Sequence, residues 1–273
     1  MIPKIIHYCW FGKAEIPERF KEYIASWKKF CPDYEIIEWN ETNYDVTKNA
    51  YMRQAYENKK WGFVPDYARL DIIYNYGGIY LDTDVELIKP IDELLDLNGF
   101  VGQECCSKYI ALGVGFGAEK GNEIIKLMLD SYENRSFILQ NGELDTLPSP
   151  AINTKPLYDI GYQWSDKIQE LHLRESRIKV FPSEYFCPID YDTGENHVSE
   201  KTYMIHHYAG TWQTKESFAI RELKEKYSKK YGRWFGNKFA KIKFYHSKSG
   251  ITGVVKLFFS GFKNKLRKIF KKY

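Results

Sequence analysis

Long apolar runs are missing from this chain of 273 residues. No window approaches the roughly 18 uninterrupted apolar residues that a membrane-spanning helix needs. The N-terminus also lacks a basic stretch followed by an apolar run, so no secretory signal is expected. Cysteine is scarce, odd in number and without metal-type CxxC spacing: Cys9, Cys31, Cys105, Cys106 and Cys187. That pattern argues against a zinc ribbon and reads as reduced thiols in a cytoplasmic protein. Internal repeats and low-complexity blocks are absent. Acid nearly disappears toward the C-terminus: residues 221–273 carry 17 Lys+Arg against 2 Glu, a net +15 that leaves −11 for residues 1–220. An acidic body is no nucleic-acid-binding surface, so no nucleic-acid partner is expected, and a basic tail calls for a partner of its own.

The composition that remains is that of a folded protein, 44% hydrophobic and 28% charged. Aromatic residues reach 17%, which suits grooves for flat polar rings and suits an aromatic-rich core equally well. Ile2–Trp10 reads as a buried first strand, and Pro17 opens an amphipathic helix through Phe30 with Phe20, Ile24 and Trp27 at helical spacing. Tyr34–Trp39 is a second strand, Phe63–Tyr76 a helix stopped by Gly77-Gly78, and Ile79–Leu81 and Val85–Ile88 short strands. Phe100–Gln103 and Ala111–Gly117 read as further strands, Gly121–Tyr132 as a helix, residues 134–200 as irregular, and Lys201–His207 as a late strand. The alternating β and α opening predicts an α/β layered fold with a mainly parallel sheet. Two regions are expected, a domain over 1–220 and a basic helical tail over 221–273.

Chemistry concentrates in Gly77-Gly78-Ile79-Tyr80-Leu81-Asp82-Thr83-Asp84. Residues two apart on an extended chain share a face, so Asp82 and Asp84 would stand side by side at a strand end. Two such carboxylates repel unless a cation sits with them. Asp-x-Asp by itself is common in turns of no function. Here Asp66 and Arg69 precede it, three apart on one helix face, and either form a surface ion pair or point together into a cleft.

These residues, taken in order, resemble the DxD-containing sugar-transfer glycosyltransferases, a group with yeast initiating α-mannosyltransferases, bacterial capsule transferases and, more distantly, large clostridial glucosylating toxins. The resemblance runs over residues 2–212. It rests on Ile5-Ile6-His7-Tyr8-Cys9-Trp10-Phe11-Gly12, Pro32-Asp33-Tyr34, Trp39-Asn40, Asp66-Tyr67-Ala68-Arg69, the segment Tyr74–Asp84, and His206-His207-Tyr208-Ala209-Gly210-Thr211-Trp212. It implies a GT-A fold and a metal-dependent, retaining transfer of a hexose from a nucleotide-sugar to a glycan acceptor, with UDP-sugars favoured over GDP-mannose and a place in capsule or other surface-polysaccharide synthesis. It also implies that Asp84 ligates the metal, that Asp82 touches ribose or metal, and that His207 is the third ligand. His206 is the competing choice, because neighbours on a strand face opposite ways. Carboxylates, imidazole and diphosphate oxygens together suit Mn²⁺, with Mg²⁺ a weaker fit. Asp66 and Arg69 would grip the donor sugar and the phosphate side of the scissile bond. Tyr8, Gly78 and Thr83 fall at donor-binding positions. Trp10 would stack on the base or serve as a core Trp at the strand end, and Thr211 and Trp212 would close over the diphosphate, Trp212 having the same core alternative.

The tail interleaves ten apolar residues from Ile251 to Phe270 with seven Lys or Arg from Lys256 to Lys272. It reads either as a helix packed on the domain or as an amphipathic helix of residues 251–273 lying on an anionic membrane, which would hold the enzyme on the inner face beside a lipid-linked acceptor. Two rivals share the motif. A haloacid-dehalogenase-type phosphatase would use Asp82 as nucleophile with Mg²⁺, although that motif normally begins its domain and 80 residues precede it here. A catalytically inactive carbohydrate-binding protein would keep the fold without the reaction.

Overall fold

The computed structural model describes residues 1–105, 107–210 and 215–270, and for residues 215, 251 and 253–270 it describes the backbone alone. The strands are β1 (Ile5–Cys9), β2 (Glu35–Trp39), β3 (Gly78–Tyr80), β4 (Val85–Leu87), β5 (Gly99–Gly102), β6 (Phe116–Ala118), β7 (Gln169–Leu173), β8 (Ser176–Phe181) and β9 (Met204–His206). The α-helices are α1 (Glu18–Phe30), α2 (Ala50–Glu57), α3 (Pro65–Tyr76), α4 (Glu123–Leu129), α5 (Ser149–Thr154), α6 (Ser183–Phe186), α7 (Lys215–Tyr231) and α8 (Arg233–Phe270). Two compact units result, Met1–Ile189 with Asn196–Trp212, and Asp190–Glu195 with Gln213–Tyr273.

The first unit is built on a sheet of order β2-β1-β3-β6-β5-β8-β7. β1 pairs in parallel with β2 and β3, β5 pairs in parallel with β8, and β6 and β7 run the other way. Five of the seven strands therefore share one direction, which is the mainly parallel α/β architecture expected from the sequence. β4 leaves this sheet after the Asp82–Asp84 turn and pairs antiparallel with β9, Val85 facing His206.

Helix α3 decides the architecture around the site. It is buried on nearly all sides, through Asp66, Ala68, Arg69, Leu70, Asp71, Ile72 and Ile73. A helix with no wet face belongs in the core, so its charges have to be answered inside the protein. It packs on α4 and over β1 and β3. Gly77 ends it at φ +70, donating its N–H to the Ile73 carbonyl. Gly78 follows at φ +100, with the His7 ring so close that an added Cβ would sit 2.8 Å from Nε2. A left-handed turn against a packed ring admits only glycine at both places. His7 itself is fully buried, accepting from Trp39 Nε1 at 3.0 Å and lying 3.0 Å from the Gly77 carbonyl. Burial drives its imidazole down to about 4, so it stays neutral.

The opposite face of the sheet is covered by α1 and α6. Trp27 of α1 is fully buried, meets Tyr8 edge-on at 5.6 Å and donates Nε1 to the Val85 carbonyl at 2.8 Å, which ties α1 to β4. Phe186 of α6 packs on Phe100 at 5.6 Å.

Two expectations from the sequence need correcting. The strand predicted over Ala111–Gly117 shrinks to Phe116–Ala118, because 111–115 turns to cover Asp82, and the Asp82 N–H donates to the Gly113 carbonyl at 3.1 Å. Residues 134–200 are not irregular throughout, since β7 and β8 form a hairpin within them. The expected domain boundary at 220 compares with a division at Trp212/Gln213, and residues 190–195 group with the helices rather than the sheet.

In the second unit α7 and α8 form a hairpin around Gly232, whose N–H donates to the Ser228 carbonyl at 2.9 Å. Asp190 and Asp192 pair with Arg233 and Lys224. α8 breaks at Ser249 and Gly250, where the backbone leaves helical geometry before the helix resumes.

Candidate active site

In parallel α/β sheets ligands gather beyond the carboxyl ends of the strands. That is where β3 delivers Asp82, Thr83 and Asp84. They form a turn rather than an extended strand end, closed by the Val85 N–H donating to the Asp82 carbonyl at 3.0 Å. The carboxylates still converge. Ligand atoms of Asp82, Asp84 and His206 all lie within 4.8 Å of one another.

Each charge in the group is answered. Arg69 Nη2 donates to Asp66 Oδ1 at 2.8 Å, its Nη1 reaches Asp82 Oδ2 at 3.5 Å, and its Nε donates to the Pro65 carbonyl at 3.1 Å. The sequence left a surface pair or a cleft open for Asp66 and Arg69. Both side chains are 5% exposed, so this is a buried bridge from α3 to the Asp pair and not a surface ornament. The Tyr80 hydroxyl donates to Asp82 Oδ1 at 3.0 Å, and the Arg69 guanidinium lies over the Tyr80 ring at 5.3 Å. Asp84 takes the Ala209 N–H on Oδ2 at 2.8 Å and faces His206 Nε2 through Oδ1 at 3.3 Å.

Burial raises the carboxyl of Asp66 to about 6, even against the opposing charge of Arg69. Burial also raises Asp82, with the charge on Asp84 adding to it and Arg69 and His206 opposing. For Asp84 burial pulls upward too, but the His206 charge, its hydrogen bond and the Ala209 N–H outweigh it and hold the group at about 2. His206 moves the other way: burial lowers it, and the Asp84 charge overcomes that and raises it. The positive charges of Arg69 and His206 offset those of the two carboxylates.

Strand pairing gives the two histidines different neighbours. His206 faces Asp84, whereas His207, the ligand preferred from the sequence, turns to the other side of β9. There its Nε2 lies 2.8 Å from Glu86 Oε2 and its ring stacks on Tyr23 at 4.4 Å and 6°. Other nominated residues are held by other contacts. Tyr8 donates its hydroxyl to Glu38 at 2.8 Å, and Trp10 is half-buried, edge-on to Phe20 at 6.0 Å, with Nε1 donating to the Ala14 carbonyl at 2.6 Å. Gly78 packs on His7 at the far end of β3. Thr83 sits within the turn, and Thr211 and Trp212 lie outside the described residues.

Two residues escaped the sequence reading. Tyr80 was legible, since its spacing from Asp82 matches that of Asp82 from Asp84. Gly113 was not: an added Cβ would strike Asp82 Oδ2 and come 2.9 Å from Arg69 Nη1, a contact made across 31 residues of chain.

Two carboxylates and an imidazole form a donor set that fits a divalent cation. Asp82 is 28% exposed, more open than Asp84 at 13% or His206 at 17%, so the group has a side that a ligand can reach.

Residues 17–101 match the family described as "Glycosyltransferase sugar-binding region containing DXD motif". This segment is similar to the DXD glycosyltransferase family. The resemblance drawn from the motifs is borne out by that match, which includes Asp66, Arg69, Asp82 and Asp84 and stops before His206. Among curated relatives, inositol phosphoceramide mannosyltransferase 1 of Schizosaccharomyces pombe is 32% identical over 111 residues, 37% of this chain and 33% of that protein. Mannosyl phosphorylinositol ceramide synthase of Saccharomyces cerevisiae is 34% identical over 105 residues, 37% of this chain and 27% of that one. The chain thus spans about a third of the length of the curated relatives it matches. Among solved structures, the PaToxG glycosyltransferase aligns with a TM-score of 0.46 at 23% identity, over 58% of this chain and 68% of that chain.

Proposed function

We propose that this chain is a metal-dependent, retaining glycosyltransferase that moves a hexose from a nucleotide-sugar to a glycan acceptor. The observation that carries the reading is the convergence of Asp82, Asp84 and His206 within 4.8 Å, next to the buried Asp66–Arg69 bridge, at the carboxyl end of β3. Asp82, Asp84 and His206 would hold the ion, with Mn²⁺ preferred to Mg²⁺ because one ligand is an imidazole. Once bound there, the ion would neutralise charge developing on the departing nucleoside diphosphate.

The chain's own residues have distinct tasks in this reading. Arg69 spends three N–H groups on Pro65, Asp66 and Asp82, so it orients the carboxylates and supplies fixed positive charge. Tyr80 and Gly113 hold Asp82 at its place, one by a hydrogen bond and the other by leaving room for it. Asp66 would accept a hydroxyl proton of the donor sugar. Tyr8, Trp10, Gly78, Thr83, Thr211 and Trp212 would complete the donor side.

The donor expected first is a UDP-hexose, and the mannosyltransferase names of the fungal relatives support a GDP-mannose arm. A role in capsule or surface-polysaccharide synthesis, a cytoplasmic location on the inner membrane face, and attachment through the tail 251–273 complete the proposal. No helix among the described residues is long and apolar enough to cross a membrane.

The test is product analysis with UDP- and GDP-sugars. Mn²⁺-dependent release of UDP or GDP by wild type, lost in Asp84→Ala, supports transfer. Phosphate release from small phosphoesters instead would favour the phosphatase, and donor binding without any hydrolysis or transfer across broad acceptors would favour the inactive binder.

A further inference from the structure

Within the helical unit, α8 turns Gly236 and Ala240 toward α7: Ala240 is fully buried, and an added Cβ at Gly236 would strike Ser228. The other side of α8 is unlike the surface of an ordinary charged helix. Trp234, Phe235 and Phe239 are 62, 52 and 45% exposed. Their rings touch one another, Trp234 edge-on to Phe235 at 4.6 Å and Phe235 stacked with Phe239 at 6.3 Å. Lys238 Nζ lies 3.5 Å from the centroid of the Trp234 ring, and Lys241 and Lys243 are exposed one turn further on. Helical spacing puts 234, 238 and 241 in a row on the side away from 236 and 240, with 235 and 239 in the row beside it, where the Phe239 ring also meets Tyr231 at 5.6 Å.

A contiguous exposed aromatic cluster marks a surface that meets something. Charge narrows what it meets. From Lys226 to the end of the chain there is no Asp or Glu, and five Lys or Arg fall between Arg233 and Lys248. An anionic partner is called for, and one that accepts large rings as well as charge. Indole and phenyl rings interleaved with cations are the composition of a membrane interface, where the rings enter the headgroup layer and the cations meet lipid phosphates. The sequence beyond the break at Ser249–Gly250 continues with Val, Leu and Phe among Lys, which suits lipid better than a phosphodiester backbone.

We propose that the face of α8 formed by Trp234, Phe235, Lys238, Phe239 and Lys241 docks in the headgroup layer of an anionic bilayer. This surface is separate from residues 251–273 and does not depend on the transfer reading.

The full chain is sedimented with vesicles of phosphatidylcholine alone and of phosphatidylcholine mixed with phosphatidylglycerol. Wild type is expected to bind the mixed vesicles and to release as salt rises. The triple variant Trp234→Ser, Phe235→Ser, Phe239→Ser and the double variant Lys238→Glu, Lys241→Glu should each weaken the partition about tenfold or more. Brominated lipids should quench the wild-type tryptophan emission, and Trp234→Phe should remove much of that quenching. All the altered side chains are exposed, so an unchanged melting temperature verifies the fold. Wild-type levels of binding in both multiple variants, with loss on Lys263→Glu, Lys265→Glu, would assign attachment to the tail alone and overturn the proposal. Equally damaging would be no vesicle binding with self-association or duplex-DNA binding that the triple variant abolishes. Nucleotide release is measured on the same variants, so failure of the transfer reading and failure of this one are told apart.

Discussion

Asp66, Arg69 and Asp84 carry their charges largely shut off from water, whereas Lys238, Lys241 and Lys243 carry theirs exposed to it. The two settings come from the helices that bear them. α3 is buried nearly all round, so each of its charges needs a protein partner: Arg69 bridges Asp66 and Asp82, and Asp71 accepts from the Tyr44 hydroxyl and pairs with Lys48. Before its break at Ser249–Gly250, α8 buries Gly236 and Ala240 toward α7, and Lys238, Lys241 and Lys243 are left outside with the rings of Trp234, Phe235 and Phe239. The first arrangement fixes geometry at a cost in desolvation, and the second leaves a surface free to adhere.

Removing the central guanidinium should break this contrast most visibly. Arg69→Ala leaves Asp66 and Asp82 buried without a counter-charge and is expected to cost about 3–5 kcal/mol in urea unfolding. Arg69→Lys should recover part of that, since one ammonium cannot reproduce the three-way donation.

Acid titration sharpens the same point. The folded carboxyl of Asp66 is raised by burial to about 6, above its unfolded value, so the folded state holds the proton more tightly. Its contribution to stability is present below about pH 4 and is lost as pH rises through about 6, a decline of roughly 3 kcal/mol if nothing else titrates. Asp66→Asn should flatten that decline, and an unaltered slope in the variant would contradict the assignment. Asp84 acts in the opposite sense. Held at about 2, it stabilises above about pH 4 and ceases to as pH falls through about 2.

Gly113→Ala should have a smaller effect on stability, about 1–3 kcal/mol, because the new methyl group pushes on Asp82 and Arg69 and the loop can give. Metal affinity, read by Mn²⁺ titration, should fall with it. Lys238→Ala in the helical unit is expected to move stability by no more than about 0.5 kcal/mol. A large loss there would mean that α8 is packed in a way its exposure does not show.

The elements bearing the DXD motif were legible because local signals agree there: Pro17 before α1, Gly77-Gly78 after α3, and apolar strands between them. The β7–β8 hairpin was hidden by its turn. Arg174 takes a φ of +52 where glycine or asparagine would have announced a reversal, although Leu171, Ile178 and Val180 keep the alternation of a strand pair. The carboxylate pair was legible at the site, and its setting was not. Whether His206 or His207 faces Asp84 depends on the register of β9 against β4, more than 100 residues apart, and nothing local to His-His records it. The same holds for Gly113, whose meaning appears only when its loop lies on Asp82.

The measurement that goes most directly to the central claim is the Mn²⁺-dependent thermal shift with UDP and with GDP, read alongside Mn²⁺ paramagnetic resonance, on wild type, Asp84→Ala, His206→Ala and His207→Ala. One nucleotide with Mn²⁺ should stabilise wild type by roughly 2–4 kcal/mol at saturation. That gain should vanish in Asp84→Ala and His206→Ala and survive in His207→Ala. Loss in His207→Ala with retention in His206→Ala, or stabilisation only by Mg²⁺ with a phosphate mimic and by no nucleotide, would contradict the site described here.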